Sequence, residues 1–366
     1  MAGEVKIGLV GCGSVSQRGL LPHLVMDDLA GRCRLTAVCD NAPGRAEATA
    51  ERFGVPQAFA DYDRFLAEAD VEAVTLATPI GLHFEQAMAA VGVGKHVHLN
   101  KAMTVTVHEA DLLIEAAGAK GVKLVASPGQ MLRPMLQAVR ERLEAGAIGR
   151  HYFAINGMSF PGHENEGFRQ EGDVLTAVDP EWYYKQPGGG PMLDMGVYCL
   201  HTLTGILGPA EAVVGVSGIG LPERTFMGKT VQVEADDMTI LTMDFGERGF
   251  AVVYAGFTAG SDAGRLRLHG SEGTIELADG NVVVGGQNAA EFPPTWAERL
   301  PDLVEGAHRE VPEAHVYADI IHLVDCVRGD GEPVVSAEHA RHVIEIMERG
   351  YIAASTGRRQ ELSTTF

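Results

Sequence analysis

The stretch from Val5 to Gln17, with the sequence VKIGLVGCGSVSQ, constrains the fold of this chain more than any other part. Its apolar first half predicts a buried strand of a parallel sheet. Gly11 and Gly13 then let the backbone turn sharply and come close to a ligand. If a helix follows, the amides at its start point at an anion. We assign this contact to Cys12, Ser14 and Val15. The succession of strand, glycine turn and helix predicts a bound dinucleotide.

Two residues depart from the usual form of such a turn. Ser16 stands at the third position of the glycine fingerprint. Pro22 lies inside the predicted helix and lacks the backbone N–H that a helix interior uses. We therefore expect a short first helix.

From Val5 to about Val125, short apolar runs alternate with helical patterns, which is typical of a parallel sheet covered on both faces. Strands are predicted at VKIGLV, CRLTAVCD, VEAVTLAT, KHVHLN and VKLVAS. Helices are predicted at Arg45 to Phe53, Tyr62 to Glu68, Leu82 to Val91 and Val107 to Ala117. Residues 1–126 are predicted to form a doubly wound, dinucleotide-binding Rossmann domain.

The second part of the chain has a different pattern. A helix at Leu136 to Ala145 precedes apolar or alternating runs at Tyr152 to Asn156, Ala212 to Ser217, Met238 to Phe245, Gly249 to Tyr254, Arg265 to His269 and Gly273 to Leu277. FGERG and HGSEG join neighbouring runs in the manner of antiparallel hairpins. A last helix is predicted at His339 to Ser355. Residues 127–366 are therefore predicted to form an α+β domain with a largely antiparallel open sheet.

The charge balance limits the possible partners. The 366 residues include 29 Lys plus Arg against 49 Asp plus Glu, a formal net charge of -20. Such an excess of negative charge disfavours nucleic acid or an anionic membrane as a partner, and it leaves a small neutral substrate open.

Cysteine spacing and hydropathy indicate the compartment. The five cysteines have no paired spacing, which fits reduced thiols in a cytosol. We find no N-terminal targeting segment and no apolar run of membrane-spanning length, so we expect a soluble, cytoplasmic protein. His96 and His98 alternate on a predicted strand without carboxylate or cysteine neighbours, and we predict no metal site.

Asp40 ends the second predicted strand, where the fingerprint places an acidic residue that accepts the ribose hydroxyls. A carboxylate there would repel the extra phosphate of NADP, so NAD is favoured as the cofactor. Arg45 lies nearby and keeps NADP as the alternative. In a second interpretation, Asp40 only caps a turn with Asn41 and Pro43.

Five motifs carry a resemblance that extends over nearly the whole chain. They are GLVGCGSVSQ, AVCD, ATPIGLH from Ala77 to His83, LNKA from Leu99 to Ala102, and GGGPMLDMGVYCLH from Gly188 to His201. With them the chain resembles the glucose-fructose oxidoreductase, inositol dehydrogenase and rhizopine-catabolism (Gfo/Idh/MocA) family of NAD(P)-dependent oxidoreductases. Relatives commonly associate through the exposed face of the second sheet, which implies a homodimer or homotetramer.

The resemblance implies several contacts with the cofactor. It places Thr78 and Pro79 beside the dinucleotide, with Asn100 and Gln130 as further contacts. His83 is included among them, although a histidine whose ring is bonded to the backbone at a helix start is an equally good interpretation.

Lys101 follows the fifth predicted strand, at the sheet edge where doubly wound folds bind ligands. The family usually has Glu-Lys-Pro here, whereas this chain has Asn100, Lys101 and Ala102. An ammonium at this position can hydrogen-bond the reacting oxygen and stabilise negative charge on it. The alternative is a solvated surface lysine.

Asp194 and Tyr198 are four residues apart and share one face if their segment is helical. The resemblance implies that Asp194 binds a substrate hydroxyl or orients the base, and that Tyr198 transfers a proton. A phenol titrates near about pH 10, so we expect a nearby cation, Lys101, to lower the pKa of Tyr198. Lys101 is an alternative proton carrier, and His201 is either a further alternative or a histidine of the core.

Arg133, His163 and Tyr183 are weaker candidates for the wall of a substrate pocket, because hydroxyl-rich ligands need several donors and an apolar ring face. The function predicted from all these residues is NAD-dependent oxidation of a secondary alcohol in a sugar, cyclitol or related polyol. Two alternatives stay open. One is a glycoside-cleaving enzyme that oxidises its substrate transiently with bound NAD, and the other is a non-catalytic NAD-binding regulator.

Overall fold

A computed structural model describes residues 3–170, 172–258, 262–263, 266–278, 281–286, 296–329 and 331–366. The described residues form a parallel sheet, a larger mixed sheet and a separate two-stranded ribbon. This arrangement confirms the predicted fold class, a Rossmann sheet followed by an α+β domain.

The first sheet has six parallel strands in the order β3-β2-β1-β4-β5-β6. These strands are β1 (Val5–Val10), β2 (Cys33–Cys39), β3 (Gln57–Phe59), β4 (Ala73–Leu76), β5 (His96–Leu99) and β6 (Leu124–Ala126). Its helices are α1 (Leu21–Leu24), α2 (Arg45–Phe53), α3 (Tyr62–Glu68), α4 (His83–Gly92) and α5 (Val107–Lys120). Every predicted strand and helix of this domain overlaps an observed one. The strand order reverses between β1 and β4, and open sheets of this type bind ligands at such a point.

The first helix continues through Pro22 and ends at Leu24. Its backbone is helical over residues 14–24, with π-helical geometry at Ser16–Leu20 followed by α1. The Ser16 hydroxyl donates a hydrogen bond of 2.5 Å to the carbonyl of Gly11. The side chain at the third fingerprint position is therefore tied to the turn and buried.

The second sheet contains strands β7 to β18 except for the ribbon of β9 and β10, and its main path is β17-β16-β15-β14-β7-β12-β11-β8-β18. The strands are β7 (His151–Phe160), β8 (Ala212–Gly218), β9 (Glu223–Phe226), β10 (Lys229–Gln232), β11 (Met238–Asp244), β12 (Phe250–Phe257), β13 (Asp262–Ala263), β14 (Arg267–Gly270), β15 (Gly273–Ala278), β16 (Asn281–Gly286), β17 (Trp296–Arg299) and β18 (Gln360–Glu361). The pairs are antiparallel except β12 with β7, which is parallel. Arg265, the first residue of one predicted strand, lies outside the described residues.

The helices of the second part are α6 (Pro134–Glu144), α7 (Gly167–Gln170), α8 (Val197–Leu207), α9 (Ala314–Arg328) and α10 (Ala337–Thr356). Helices α8 and α10 lie on one face of the large sheet, where Leu241 and Val253 are buried. The opposite face carries exposed apolar side chains, among them Val216 and Phe250.

Helix α9 belongs to the second domain by the predicted boundaries but packs against the first sheet. The division at residues 126 and 127 assigns α9 to the second domain, but the helix packs against β1, β5 and β6 of the first. Its apolar residues Val316, Ile320 and Val324 share one core cluster with Leu9 of β1. The chain therefore returns to the first sheet after building the second.

His96 and His98 are sheet residues. The ring of His98 lies between the hydroxyls of Thr75 and Ser127, at 2.6 and 2.8 Å, and His96 accepts from the Lys123 amide. Within the described ranges, no group of three or more His, Cys, Asp or Glu side chains is arranged to hold a metal ion. None of the helices in the described part of the chain is long and apolar enough to cross a membrane.

Candidate active site

The glycine turn has the geometry that a bound dinucleotide needs. Gly11 has a φ of +91°, and a Cβ there would lie 2.6 Å from the carbonyl oxygen of Ala77. Only glycine fits this position. A Cβ on Gly13 would meet only Val178, at 3.8 Å, so the backbone at Gly13 is open to a close ligand. Cys12, Ser14 and Val15 complete the turn at the start of the first helix, and the residues present fit a pyrophosphate.

Asp40 joins the turn to the end of β2. One carboxylate oxygen accepts from the Cys12 amide at 2.8 Å, and the other accepts from the Ala42 amide at 2.8 Å. Arg45 contacts the second oxygen at 3.4 Å and also donates to the carbonyl of Val174. Asp40 thus caps the turn after β2, as one interpretation expects, and also holds the glycine turn.

His83 is fully buried and bonded to the backbone. Its Nδ1 lies 2.8 Å from the Ala102 carbonyl and its Nε2 lies 2.9 Å from the Thr78 carbonyl. Burial lowers the pKa of His83, more than its hydrogen bonds raise it. The ring links the turn at Thr78 and Pro79 to the segment of Lys101, so its observed partners are those of the backbone interpretation.

Lys101 follows β5 and reaches across to the second domain. It meets Asp194, which lies in the π-helical turn Met192–Gly196 just before α8. The Lys101 ammonium donates to the Asp194 backbone carbonyl at 2.7 Å and also to the Asp194 carboxylate. Their side chains are 16% and 5% exposed. Lys101 is therefore not a solvated surface lysine.

His163 continues the interaction beyond Asp194. Its Nε2 lies 2.8 Å from Asp194 Oδ2, and its Nδ1 lies 2.7 Å from Glu166 Oε2. Arg169 donates to the same Glu166 oxygen at 2.5 Å. Lys101, Asp194, His163, Glu166 and Arg169 therefore form a continuous row in which basic and acidic side chains alternate.

Lys101 and His163 set the protonation of Asp194. Burial by itself raises the pKa of Asp194, but Lys101 and His163 hold it below its usual range. The carboxylate is therefore ionised while almost buried, and it fixes the ammonium of Lys101 at the end of β5.

Tyr198 lies near Lys101, but the expected effect of the cation is wrong. The Lys101 nitrogen is 5.6 Å from the centre of the Tyr198 ring. Burial, together with the carboxylates of Glu313 and Asp194, raises the pKa of Tyr198 well above 10.0. The phenol is therefore neutral. Lys101 does not stabilise a phenolate, because its ammonium is already paired with Asp194.

Tyr198 has a partner that the sequence did not indicate. Its hydroxyl lies 2.9 Å from Nε2 of His315, and the two rings meet edge to face with centres 5.3 Å apart. His315 is the second residue of α9. Burial, together with Arg133 and Lys101, lowers the pKa of His315 to about 3.

The three predicted wall residues lie in different surroundings. Tyr183 stacks on His163 with ring centres 3.5 Å apart, so both flank Asp194. Burial lowers the pKa of Arg133, whose charge acts on Tyr198 and His315. Gln130 is nearly buried in the short helix Gln130–Leu132, and the Asn100 side chain accepts from the Lys101 amide at 2.9 Å.

His201 does not join this group. Its ring contacts that of His339 on α10, with centres 4.6 Å apart, and the residue is buried between helices. Burial, together with His339 and His342, lowers the pKa of His201 well below 6.5. These are the surroundings of a core histidine, so we do not carry His201 forward as a proton carrier.

Sequence reasoning missed His315, Glu166 and Arg169. Helix α9 was not predicted, and His315 meets Tyr198 across 117 positions of the chain. Glu166 and Arg169 stand in a segment without a motif, and their spacing of three residues places both beside His163 only after the loop folds.

Two family profiles match the chain. The profile described as "Oxidoreductase family, NAD-binding Rossmann fold" matches residues 5–127. The profile described as "GFO/IDH/MocA C-terminal domain" matches residues 136–276.

Individual proteins are also similar. A dTDP-3,4-didehydro-2,6-dideoxy-alpha-D-glucose 3-reductase from Streptomyces violaceoruber is 29% identical, over 75% of this chain and 72% of the relative. A scyllo-inositol 2-dehydrogenase (NADP(+)) from Bacillus subtilis is 26% identical, over 75% of this chain and 76% of the relative. The structure of a levoglucosan dehydrogenase in complex with NADH and L-sorbose has a TM-score of 0.82 at 20% identity, covering 99% of each chain. This last likeness shows a shared fold.

Proposed function

The chain belongs to the GFO/IDH/MocA family of NAD-binding oxidoreductases that act on sugars or polyols, and from this membership we propose an NAD-dependent dehydrogenase. Its substrate is a secondary alcohol of a sugar, cyclitol or related polyol. The observation that carries the proposal is the convergence of Lys101 with Asp194 and Tyr198, which come from different domains. Bound NAD supplies the hydride acceptor.

The residues of the chain divide the remaining work. The amides from Gly13 to Val15 hold the pyrophosphate, since those of Gly11 and Cys12 donate to the Cys39 carbonyl and to Asp40. Asp40 lies on the ribose side, and Thr78, Pro79 and Asn100 lie along the cofactor. Lys101 donates a hydrogen bond to the reacting oxygen and stabilises the negative charge that develops on it. Asp194 keeps the ammonium in position and binds a neighbouring hydroxyl. Tyr198 takes up the alcohol proton, and Arg133, His163 and Tyr183 border the substrate.

We propose NAD rather than NADP as the preferred cofactor. The Asp40 carboxylate at the end of β2 repels a phosphate on the ribose. Arg45 stands beside Asp40 at 3.4 Å, but its guanidinium is shared between that carboxylate and the Val174 carbonyl.

A panel of sugars, sugar acids and cyclitols, assayed in parallel with NAD and NADP, tests the function. We expect free NADH to accumulate with at least one alcohol, and NAD to give the higher kcat/KM. The Lys101→Met variant tests the role of the lysine, and its kcat should fall by about 100-fold or more. Its NADH binding should be normal, which shows that the cofactor site is intact. Tight NADH binding without turnover of any alcohol would contradict the proposal and favour a regulator. Product formation without free NADH would favour the transient-oxidation enzyme.

We also propose that the exposed face of the large sheet joins copies of this chain. Ile240 pairs with Val216 on one side and with Tyr254 on the other, and Phe250 pairs with Phe153, so apolar side chains continue across four strands. Val216 is 65% exposed and Phe250 is 52% exposed. Apolar patches of this kind mark interfaces.

Light scattering of Val216→Asp tests this surface. We expect a homodimer or homotetramer for the native chain and a smaller species for the variant. Val93→Asp is the control, because Val93 is 56% exposed at the end of α4, in the other domain. A native chain that is monomeric at micromolar concentration would contradict the proposed assembly.

A further inference from the structure

His315 is held against Tyr198 by a defined anchor. One turn along α9, the Asp319 carboxylate accepts from the Ser127 hydroxyl and from the Gly129 amide at 3.1 Å. Residues four apart on a helix share a face, so the anchor at Ser127 and Gly129, just after β6, fixes where His315 lies. The contact between His315 and Tyr198 is therefore set by the fold and not by a free side chain.

The chemistry of Tyr198 leaves a proton without a destination. A neutral phenol can accept the alcohol proton only if it gives up its own, because a phenolate does not exist at neutral pH in these surroundings. Lys101 is bound to the carbonyl and the carboxylate of Asp194 and offers no lone pair. Among the described residues, His315 Nε2 is the acceptor that lies within hydrogen-bond distance of the Tyr198 hydroxyl, at 2.9 Å.

We propose that His315 accepts the hydroxyl proton of Tyr198 while Tyr198 accepts the proton of the substrate alcohol. The inference rests on the proposed dehydrogenase function. In the balanced step, the C–H bond of the alcohol carbon breaks and its hydride reduces NAD. The substrate O–H bond breaks and a new O–H bond forms on Tyr198. The former Tyr198 proton forms an N–H bond on His315, and no phenolate is produced.

The groups around His315 fit this role. Glu313 lies 3.7 Å from Nε2, beyond hydrogen-bond distance, so Nε2 is left to the phenol. Glu313 and His315 have side chains 23% and 20% exposed, which gives the proton a way to solvent. Arg133 and Lys101 face the ring with positive charge, which disfavours the imidazolium, so the proton that His315 receives must pass on to solvent within the same turnover. Asp319 is one turn away on α9. The relay requires a neutral imidazole with its hydrogen on Nδ1 and its lone pair on Nε2.

His315→Gln tests the relay, because an amide oxygen can accept a hydrogen bond from Tyr198 but cannot take the proton. We expect kcat at neutral pH to fall by about 100-fold. The rate of the variant should then rise with pH, since the reaction now needs the phenolate, while the native rate stays level. Added imidazole should restore part of the activity of His315→Ala. NADH binding, followed by fluorescence, should be unchanged. His108→Gln, at an exposed position on α5, is the matched control.

A measurement without substrate separates this inference from the proposed function. Nitrogen-15 NMR of histidine-labelled protein, with the His315 signal assigned by its loss in His315→Gln, reports which ring nitrogen carries hydrogen. We expect hydrogen on Nδ1. Hydrogen on Nε2 would overturn the relay even if the enzyme oxidises sugars, as would native kcat and an unchanged pH profile in His315→Gln. Failure to oxidise any alcohol, with hydrogen on Nδ1, would instead reject the dehydrogenase function alone.

Discussion

Two buried aspartates on either side of the candidate site behave in opposite ways. Asp194 is 4% exposed and Asp319 is 1% exposed. The pKa of Asp194 lies below its usual range although burial raises it, because Lys101 and His163 are beside it. Burial raises the pKa of Asp319 to about 7, because its close partners, Ser127 and Gly129, are neutral donors that offset burial only in part.

Both carboxyls are buried to a similar extent, and burial raises the pKa of each. The difference in charge therefore comes from their hydrogen-bond and ionic partners. An ionised Asp194 can organise the ammonium of Lys101, which the proposed function places at the substrate. A carboxyl like Asp319, which is half-protonated near neutral pH, serves to join α9 to β6. We therefore expect variants of Asp194 to affect turnover most, and variants of Asp319 to affect mainly stability.

The largest effect is expected for Asp194→Asn. This change removes the anion between Lys101 and His163 and leaves the Lys101 ammonium facing a neutral amide. We expect kcat to fall by about 1000-fold, and the free energy of unfolding to fall by about 3 kcal/mol. Steady-state kinetics and urea denaturation measure the two effects. Asp111→Asn is the control, because Asp111 pairs with Arg341 at the surface and is 52% exposed. Near-native turnover in Asp194→Asn would remove the distinction between the two aspartates.

His163→Gln should have a smaller effect on turnover. The glutamine can still donate to Asp194, but it carries no charge and breaks the link to Glu166. We expect kcat to fall by about tenfold and acid unfolding to begin at higher pH. The sign follows from the lowered pKa of Asp194, which contributes stability above its unfolded value of about 3.9 and loses it as pH falls towards the folded value. An unchanged acid limb of the stability curve would mean that Lys101 alone maintains the charge.

Asp319→Asn should change the pH dependence of stability more than turnover. Since folding raises the pKa of Asp319, its native surroundings favour the protonated form. Its contribution is full below about pH 3.9 and is lost as pH rises towards the folded value of about 7. We expect the variant to lack this decline, which is on the order of 4 kcal/mol over the whole range. Urea denaturation at mildly acidic and mildly alkaline pH measures it. A decline of equal size in the variant would show that another group titrates.

Ser127→Ala should give the smallest effect. It removes one neutral donor from Asp319 and one partner from His98. We expect a loss of about 1 kcal/mol in unfolding free energy, since a typical hydrogen bond contributes about that much. Thermal unfolding at acidic pH measures the change. Stability above that of the native chain would mean that the hydroxyl is not a net stabilising partner.

The first domain was predictable because its signals are local. Val5–Val10 and Arg45–Phe53 have the predicted boundaries, and glycine or proline marks the ends of several elements. The strand Gln57–Phe59 escaped prediction because three residues carry too little periodicity to stand out. The hairpin turns of the second sheet were equally local, since FGERG lies between β11 and β12.

The candidate site was predictable only in part. Lys101, Asp194 and Tyr198 came from motifs, and the structure places them together. The expected effect of Lys101 on the pKa of Tyr198 was wrong, because the ammonium is paired with Asp194 instead. His315 could not be inferred, since α9 returns to the first sheet from the far end of the chain.

The sequence by itself determined the glycine turn, the alternation of the first sheet, the hairpins of the second and the lysine that ends β5. Each follows from residues within one turn or one strand, where backbone sterics and side-chain periodicity act over short range. The tertiary structure alone decided that Asp194 is charged, that the pKa of Asp319 is raised to about 7 and that His315 contacts Tyr198. Protonation and contact depend on burial and on the charges nearby, and residues far apart in the chain become neighbours only when the two sheets and α9 pack together. The turn from Gly11 to Ser16 specifies a dinucleotide. The packing of α9 brings His315 to Tyr198 and so sets the surroundings of that tyrosine.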